Sequence, residues 1–345
     1  MLDHFKNTFE ECREAFLELA RKSGGELRSD LFDSLYLPPK SGEKKKLLIL
    51  TSGIHGIEGF TGSALQRHFL SSVKIPDDLG VLIIHGINPY GFKNFRRVTE
   101  NNVDLNRNFD LSPELFKNTN PGYDKVNSFL NPGFRYSRLA FYPKAIAQIF
   151  MHGMDNLRKA ILRGHYQYPK GIFFGGKDFE PQVGLIRDEL TRVSSGYEKV
   201  LLVDLHTGYG QRGKLHLFGD RAPTIDPEYM KEVFGDLKVE YGAEKDFYSI
   251  TGGFTVFVSK LLHGKAKFAG VVFEFGTIDS HTPRGSLESL YRMINENQKD
   301  RTEADKKDFL EMFYPSDPVW RVLVPQQFDS TLKEIFRYLH LPIYN

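Results

Sequence analysis

Four short apolar runs constrain the fold of this chain more than any other feature. They are Leu47-Leu48-Ile49-Leu50, Val81-Leu82-Ile83-Ile84, Val200-Leu201-Leu202-Val203-Asp204-Leu205 and Ala269-Gly270-Val271-Val272-Phe273. All are nearly continuous rather than alternating, which is the pattern of a strand buried on both faces. Between the first two lies a helical stretch, about 61 to 71, with Leu65, Phe69 and Leu70 at helical spacing. Strand, helix, strand in that order predicts a parallel sheet. Further helices are expected over about 4–22, 143–163, 181–194, 227–234, 285–298 and 329–339, with a further strand at Leu215-His216-Leu217-Phe218. Residues 110 to 140 are rich in Pro, Gly and Asn and show little periodicity. No repeat or linker interrupts the pattern, so one domain is expected over 1–345.

The composition is that of an ordinary globular protein, with 345 residues, 26% charged and 40% hydrophobic. A net charge of +2 leaves no strong electrostatic footprint for nucleic acid or membrane, and neither is expected as a partner. No apolar run approaches the ~20 residues that span a bilayer. The opening Met1-Leu2-Asp3-His4-Phe5-Lys6 lacks a basic region followed by an apolar stretch, so a cytoplasmic protein is expected. The lone Cys12 excludes an intramolecular disulfide framework and a cysteine-based zinc site.

Ligands of open parallel sheets bind beyond the carboxyl ends of the strands. The chemically useful residues of this chain stand there. The first strand runs into Thr51-Ser52-Gly53-Ile54-His55-Gly56-Ile57-Glu58-Gly59, a glycine-rich turn carrying an imidazole and a carboxylate three positions apart. At the first turn of a helix that spacing puts both side chains on one face. His206 ends the third strand, and His55, Glu58 and His206 make a His₂Glu set suited to a catalytic zinc ion with one position open to water. Glu274 lies inside the last apolar run, where a carboxylate needs a reason. A general base is one. A buried salt bridge is the plainer one, and the local sequence favours it. His85, His216 and His263 lie in or beside apolar segments and read as core histidines.

Taken together and in order, these segments resemble the zinc carboxypeptidases of the carboxypeptidase A type, most closely a bacterial branch. The matching motifs are Gly53-Ile54-His55-Gly56-Ile57-Glu58-Gly59, Asn88-Pro89-Tyr90-Gly91, Asp104-Leu105-Asn106-Arg107-Asn108-Phe109, Asp204-Leu205-His206, Tyr248-Ser249-Ile250-Thr251-Gly252-Gly253 and Phe273-Glu274-Phe275-Gly276-Thr277, spanning about 45–280. The resemblance implies an α/β fold, a mixed, mostly parallel central sheet with helices on both faces. It implies one Zn²⁺ held by His55, Glu58 and His206, with Glu274 as catalytic base. Asn106 and Arg107 match the pair that holds a substrate carboxylate, a task suited to the guanidinium fork. Arg97 falls where an oxyanion-stabilising arginine is placed, with Arg96 adjacent in register. Tyr248 matches a mobile tyrosine that closes over substrate, and Thr255 matches the pocket floor. Asp204, two before His206, reads as strand-end packing or as a partner that orients the imidazole.

The implied activity is hydrolysis of an amide bond next to a free carboxylate, on a peptide or an acylated amino acid. A deacylase resembling aspartoacylase and succinylglutamate desuccinylase is the alternative within hydrolases. A binding protein that keeps the pocket without turnover is the alternative outside them.

Overall fold

The computed structural model describes residues 2–241 and 251–341. Helix α1 (Phe9–Ser23) opens the chain, capped by Thr8 and Glu11 in a reciprocal capping box and closed by Gly24 at φ 74°. Strands β1 (Glu26–Ser29) and β2 (Asp33–Leu37) follow, then β3 (Lys46–Ser52), helix α2 (Gly59–Ser72) and β4 (Leu79–His85). Asn88 caps the short α3 (Pro89–Lys93), and α4 (Pro121–Leu130), α5 (Arg138–His152), α6 (Met154–Leu162) and α7 (Pro181–Ser194) form a helical stretch. Strands β5 (Lys199–Gly208) and β6 (Leu215–Gly219), helix α8 (Pro227–Phe234) and β7 (Val239–Tyr241) come next. Helix α9 (Phe254–Leu262), strand β8 (Lys267–Gly276) and helices α10 (Pro283–Glu296), α11 (Glu303–Phe313) and α12 (Pro318–Tyr338) complete the described elements.

The eight strands among the described residues form one sheet in the order β1-β2-β4-β3-β5-β8-β6-β7. The central four, β4-β3-β5-β8, are parallel, while β2 against β4 and β6 against β8 are antiparallel. This is the mixed, mostly parallel sheet that the resemblance implied. Every residue of β4, and every residue of β3 after Lys46, is buried. Successive side chains of a strand point to opposite faces, so full burial requires cover on both. The order also places a topological switch between β3 and β5. From β3 the chain crosses to β4 on one side, and β5 and β8 extend the sheet on the other. Crevices at such switches are where α/β sheets bind ligands.

Buried Gln66 on α2 secures this end of the sheet. Its amide donates to the carbonyls of Leu50 and Ile84 at 3.0 and 2.9 Å and its oxygen accepts from Ser52 Oγ at 2.9 Å. Helices α4, α5, α6, α10 and α11 gather a second apolar core, including Phe141, Leu157, Ile294 and Phe309, which Ile57 joins from the His55 turn. That helical layer packs against the end of the sheet where the candidate site lies.

Several sequence expectations need correcting. The single helix over 143–163 is two helices, starting at a Ser137 cap and broken at Gly153, whose φ of 77° a helix cannot continue. The polar stretch before Lys46 contains two unexpected strands, the largely exposed edge strand β1 and the mostly buried β2, which pairs with both β1 and β4 and at five residues is too short to show a long apolar run. Residues 110–140 include α4, and α9, α11 and β7 lie where no element was expected. Helix α12 starts eleven residues before position 329 and carries Pro325 internally. His85 is a core histidine, stacked on Phe16 at 4.4 Å and bonded to Ser63 Oγ at 2.9 Å. His216 and His263 are not: the first is partly exposed beside Glu240 at 3.3 Å, and the second is exposed just after α9.

Candidate active site

Gly53, at φ 75°, follows strand β3, and the chain turns so that His55 precedes a single 3₁₀ turn, Gly56–Glu58, which runs directly into α2. Gly56 is required by packing rather than by substrate access. A β-carbon there would lie 2.2 Å from the backbone of Gly91 in α3. Backbone bonds from Gly56 and Ile57 to the carbonyls of Arg97 and Arg96 then tie the turn to the loop that follows α3. His206 sits within β5, and the register sets it beside Glu274 of β8 on the same face of the sheet.

His55, Glu58 and His206 are all buried, and each offers a ligand atom within 4.8 Å of the others. His55 Nδ1 and His206 Nδ1 are 3.2 Å apart, and lie 2.8 and 2.9 Å from the two oxygens of Glu58. The opposite nitrogens are held by aspartates. His206 Nε2 meets Asp204 Oδ2 at 2.6 Å, and Asp204 in turn accepts from Thr51 Oγ1 at 2.6 Å. His55 Nε2 is 3.2 Å from Asp104 Oδ1 and 2.6 Å from Arg97 Nη2. That nitrogen can donate to the aspartate or accept from the arginine, but not both in one tautomer. Coordination through Nδ1 selects the first.

The electrostatics fit a bound cation. Burial disfavours charge on Glu58, yet the imidazoles of His55 and His206 hold its carboxyl below the ordinary range. Burial likewise disfavours ionised Asp104, which Arg97 and His55 hold well below its usual value. His206 runs against its burial too, held well above the imidazole range by Asp204 and Glu58. Carboxylates converging on two imidazoles call for positive charge, which protons or a divalent ion can supply. A His₂Glu donor set with aspartates behind both rings matches the donor preferences of zinc.

Glu274 Oε1 accepts the backbone N–H of Tyr209 at 2.8 Å. Burial first, and then the neighbouring Glu58, push its carboxyl up to about 8. Among the described residues no salt bridge to Glu274 is formed, so none of them supplies the structural ion pair favoured by local sequence. Glu274 instead lines a cavity of about 250 Å³ together with the three candidate ligands, Arg97, Asn106, Arg107 and Thr255.

The arginines divide cleanly. Arg96 turns away to Glu296 at 3.0 Å, whereas Arg97 reaches Asp104 and Glu58 at 3.1 and 3.3 Å. Asp104 is therefore the partner of Arg97 and His55. Arg107 donates to the carbonyls of Asn106 and Leu162 at 2.8 and 2.6 Å, and Asn106 Oδ1 accepts from the Phe254 amide at 3.0 Å. Both guanidiniums stand over the ring of Phe173, at 5.4 and 5.8 Å. Phe173 has a φ of 60°, a costly conformation for a residue with a side chain. Tyr248 lies outside the described residues.

Sequence reasoning missed Asp220. It lines the same cavity as Arg107, and burial pushes its carboxyl up to about 6 against the pull of that arginine. Nothing local marks it, since Phe218-Gly219-Asp220 reads as a strand end followed by a turn. The cavity's other wall is apolar, built by Met154, Leu157 and Ile161 of α6 with Leu287, Leu290 and Met293 of α10.

No curated protein matches the chain. Among solved structures it is similar to bovine thrombin-activatable fibrinolysis inhibitor in complex with tick carboxypeptidase inhibitor (TM-score 0.46, 14% identity, 94% of this chain and 100% of that one). It is similar also to carboxypeptidase A from Helicoverpa armigera (TM-score 0.44, 13% identity, 88% and 73%). A third is the succinylglutamate desuccinylase from Chromobacterium violaceum (TM-score 0.37, 12% identity, 84% and 80%). A family model matches residues 5–327, and the chain belongs to that family, described as protein of unknown function (DUF2817).

Proposed function

We propose that the chain is a metal-dependent hydrolase of the zinc carboxypeptidase type, cleaving an amide bond next to a free carboxylate. The observation that carries this reading is the convergence in one cavity of three buried candidate ligands, the buried carboxylate of Glu274 and two guanidiniums. A zinc ion bound by His55, Glu58 and His206 would supply Lewis acidity, polarising a substrate carbonyl and acidifying a water.

The chain's own residues do the rest. Glu274 takes the proton of the attacking water and returns it to the leaving nitrogen. Its Tyr209 hydrogen bond keeps the carboxylate aimed into the cavity. Arg107 and Asn106 hold the substrate carboxylate, which fixes the distance from that end to the scissile bond. Arg97 offers a guanidinium to charge developing on the carbonyl oxygen. Asp104 and Asp204 orient the two imidazoles.

A small acylated amino acid is the second substrate class. The apolar wall from α6 and α10 offers a surface for its acyl group. Purified protein loaded with zinc is assayed against a panel of peptides with free carboxyl termini and a panel of N-acyl amino acids. Turnover on either panel supports the hydrolase, and the preferred panel selects the substrate class. Stoichiometric zinc without turnover on both would leave a binding protein.

A further inference from the structure

The candidate site is walled differently on its two sides. One side is built from β6, the turn after it, α9 and β8, and carries Asp220, Thr255 and Val272. Asn106 joins that side, its Oδ1 accepting from the Phe254 amide that opens α9. The other side is helical. Met154, Leu157 and Ile161 recur at spacings of three and four on α6, and Leu287, Leu290 and Met293 at spacings of three on α10. Each helix therefore turns one apolar face to the cavity.

The apolar wall has a direction. Arg107 Nη2 donates to the Leu162 carbonyl at 2.6 Å, at the C-terminal end of α6. From Ile161, next to that carbonyl, the stripe runs back to Met154, about 10 Å away along the helix. Phe313 brings the same apolar surface to the reacting groups. Its ring lines the cavity, and a β-carbon on Gly208 would lie 3.0 Å from that ring and 3.8 Å from Glu274 Oε1. Hydrocarbon lining thus borders the candidate base and leads away from the carboxylate clamp.

An extended peptide fits such a wall poorly. Every peptide unit brings an N–H and a C=O that need partners when buried. Backbone groups in the interior of α6 and α10 are bonded along the helix. Arg158 donates to Ser286 Oγ at 2.8 Å, and Ser286 Oγ donates to the Ser280 carbonyl at 2.7 Å, so this polar pair on the wall is already engaged. Ser289 adds one hydroxyl. A hydrocarbon chain brings no polar group to satisfy, and each methylene it buries is favourable.

We propose that the substrate is an N-acyl amino acid whose acyl group is a medium-length hydrocarbon chain lying between α6 and α10. Its carboxylate rests on Asn106 and Arg107, its amide carbonyl among His55, Glu58 and His206, and its chain on Leu157, Leu287 and Leu290. The inference rests on the hydrolase reading above and adds the acyl group. In the reaction a water oxygen bonds to the carbonyl carbon, the carbon–nitrogen bond breaks and the nitrogen leaves with a proton from Glu274, giving a fatty acid and a free amino acid.

The full chain, loaded with zinc, is assayed on acetyl-, butanoyl-, hexanoyl- and octanoyl-alanine, with succinyl-alanine and leucyl-alanine as the anionic and peptide counterparts. The same compounds are titrated calorimetrically into Glu274→Gln, which reads affinity apart from turnover. Both kcat/KM and affinity should rise roughly threefold per methylene up to the octanoyl compound. Leu287→Ala with Leu290→Ala should cut the octanoyl-to-acetyl ratio roughly tenfold. Leu290→Phe keeps the wall apolar and narrows it, and should favour the shorter chains even if the alanine pair alters the fold. Turnover that is flat with chain length, or fastest on succinyl- or leucyl-alanine, overturns the proposal and leaves the hydrolase standing, as does a ratio unchanged in both variants. No turnover on any compound overturns the hydrolase; affinity that still climbs with chain length then keeps the apolar acyl site, and flat affinity removes it too.

Discussion

His206 Nε2 lies 2.6 Å from Asp204 Oδ2, two residues away in the same strand, while its Nδ1 faces Glu58. In an extended strand, residues i and i+2 share a face, so β5 carries both the imidazole and the carboxylate that orients it. In the proposed centre Asp204 sets the tautomer. Asp204→Asn should then weaken zinc binding by roughly 10–100-fold, with turnover recovered at excess zinc. Equilibrium zinc titration checks it. Unchanged affinity would return Asp204 to strand-end packing.

Arg107 donates through two nitrogens to backbone carbonyls, so removing it would strip two buried acceptors. Arg107→Lys keeps the charge and loses the fork. It should lower kcat/KM by roughly tenfold on free-acid substrates and little on their amidated counterparts. Equal losses on both would show that Arg107 is not the carboxylate clamp.

Asp220 shares the cavity with Arg107 and makes it two-signed. Asp220→Asn should raise KM by roughly tenfold for substrates carrying a cationic group near the clamped end, and leave neutral ones nearly unchanged. A uniform change across both sets would make Asp220 a structural carboxylate.

Burial lowers the imidazole of His85 from 6.5 to about 3. Between those values the unfolded chain binds the extra proton and the folded one does not. The contribution of His85 is therefore fully present above about 6.5 and is lost as pH falls toward 3, by roughly 1.4 kcal/mol per pH unit. His85→Gln should be less stable at pH 7 but show a shallower acid loss in urea melts. Parallel pH profiles would contradict this.

The central sheet was legible because four strands covered on both faces must be apolar throughout, and so stand out without an alignment. The edge strands were not, since β1 is largely exposed and carries no periodic signature of its own. The candidate ligand cluster was legible because His55 and Glu58 are local neighbours and His206 stands at the end of an apolar run. Its supports were less so. Nothing local marks the partner of Asp104, which folding brings to Arg97 and to His55, 49 residues earlier in the chain. The glycine-rich turn does not reveal what lies against Gly56, which is the backbone of Gly91. Glu274 was ambiguous because a strand residue does not reveal its cross-strand neighbour. The register sets it beside His206.

The proposed chemistry rests on Glu274 acting as a base beside a metal that it does not hold. Glu274→Gln preserves size and the acceptor for the Tyr209 amide while removing the basic oxygen. Metal content and turnover are measured on the same preparation. The expected result is about one zinc per chain with turnover reduced by roughly 100-fold or more. Wild-type turnover in the variant, or loss of the metal with the activity, would contradict the assignment.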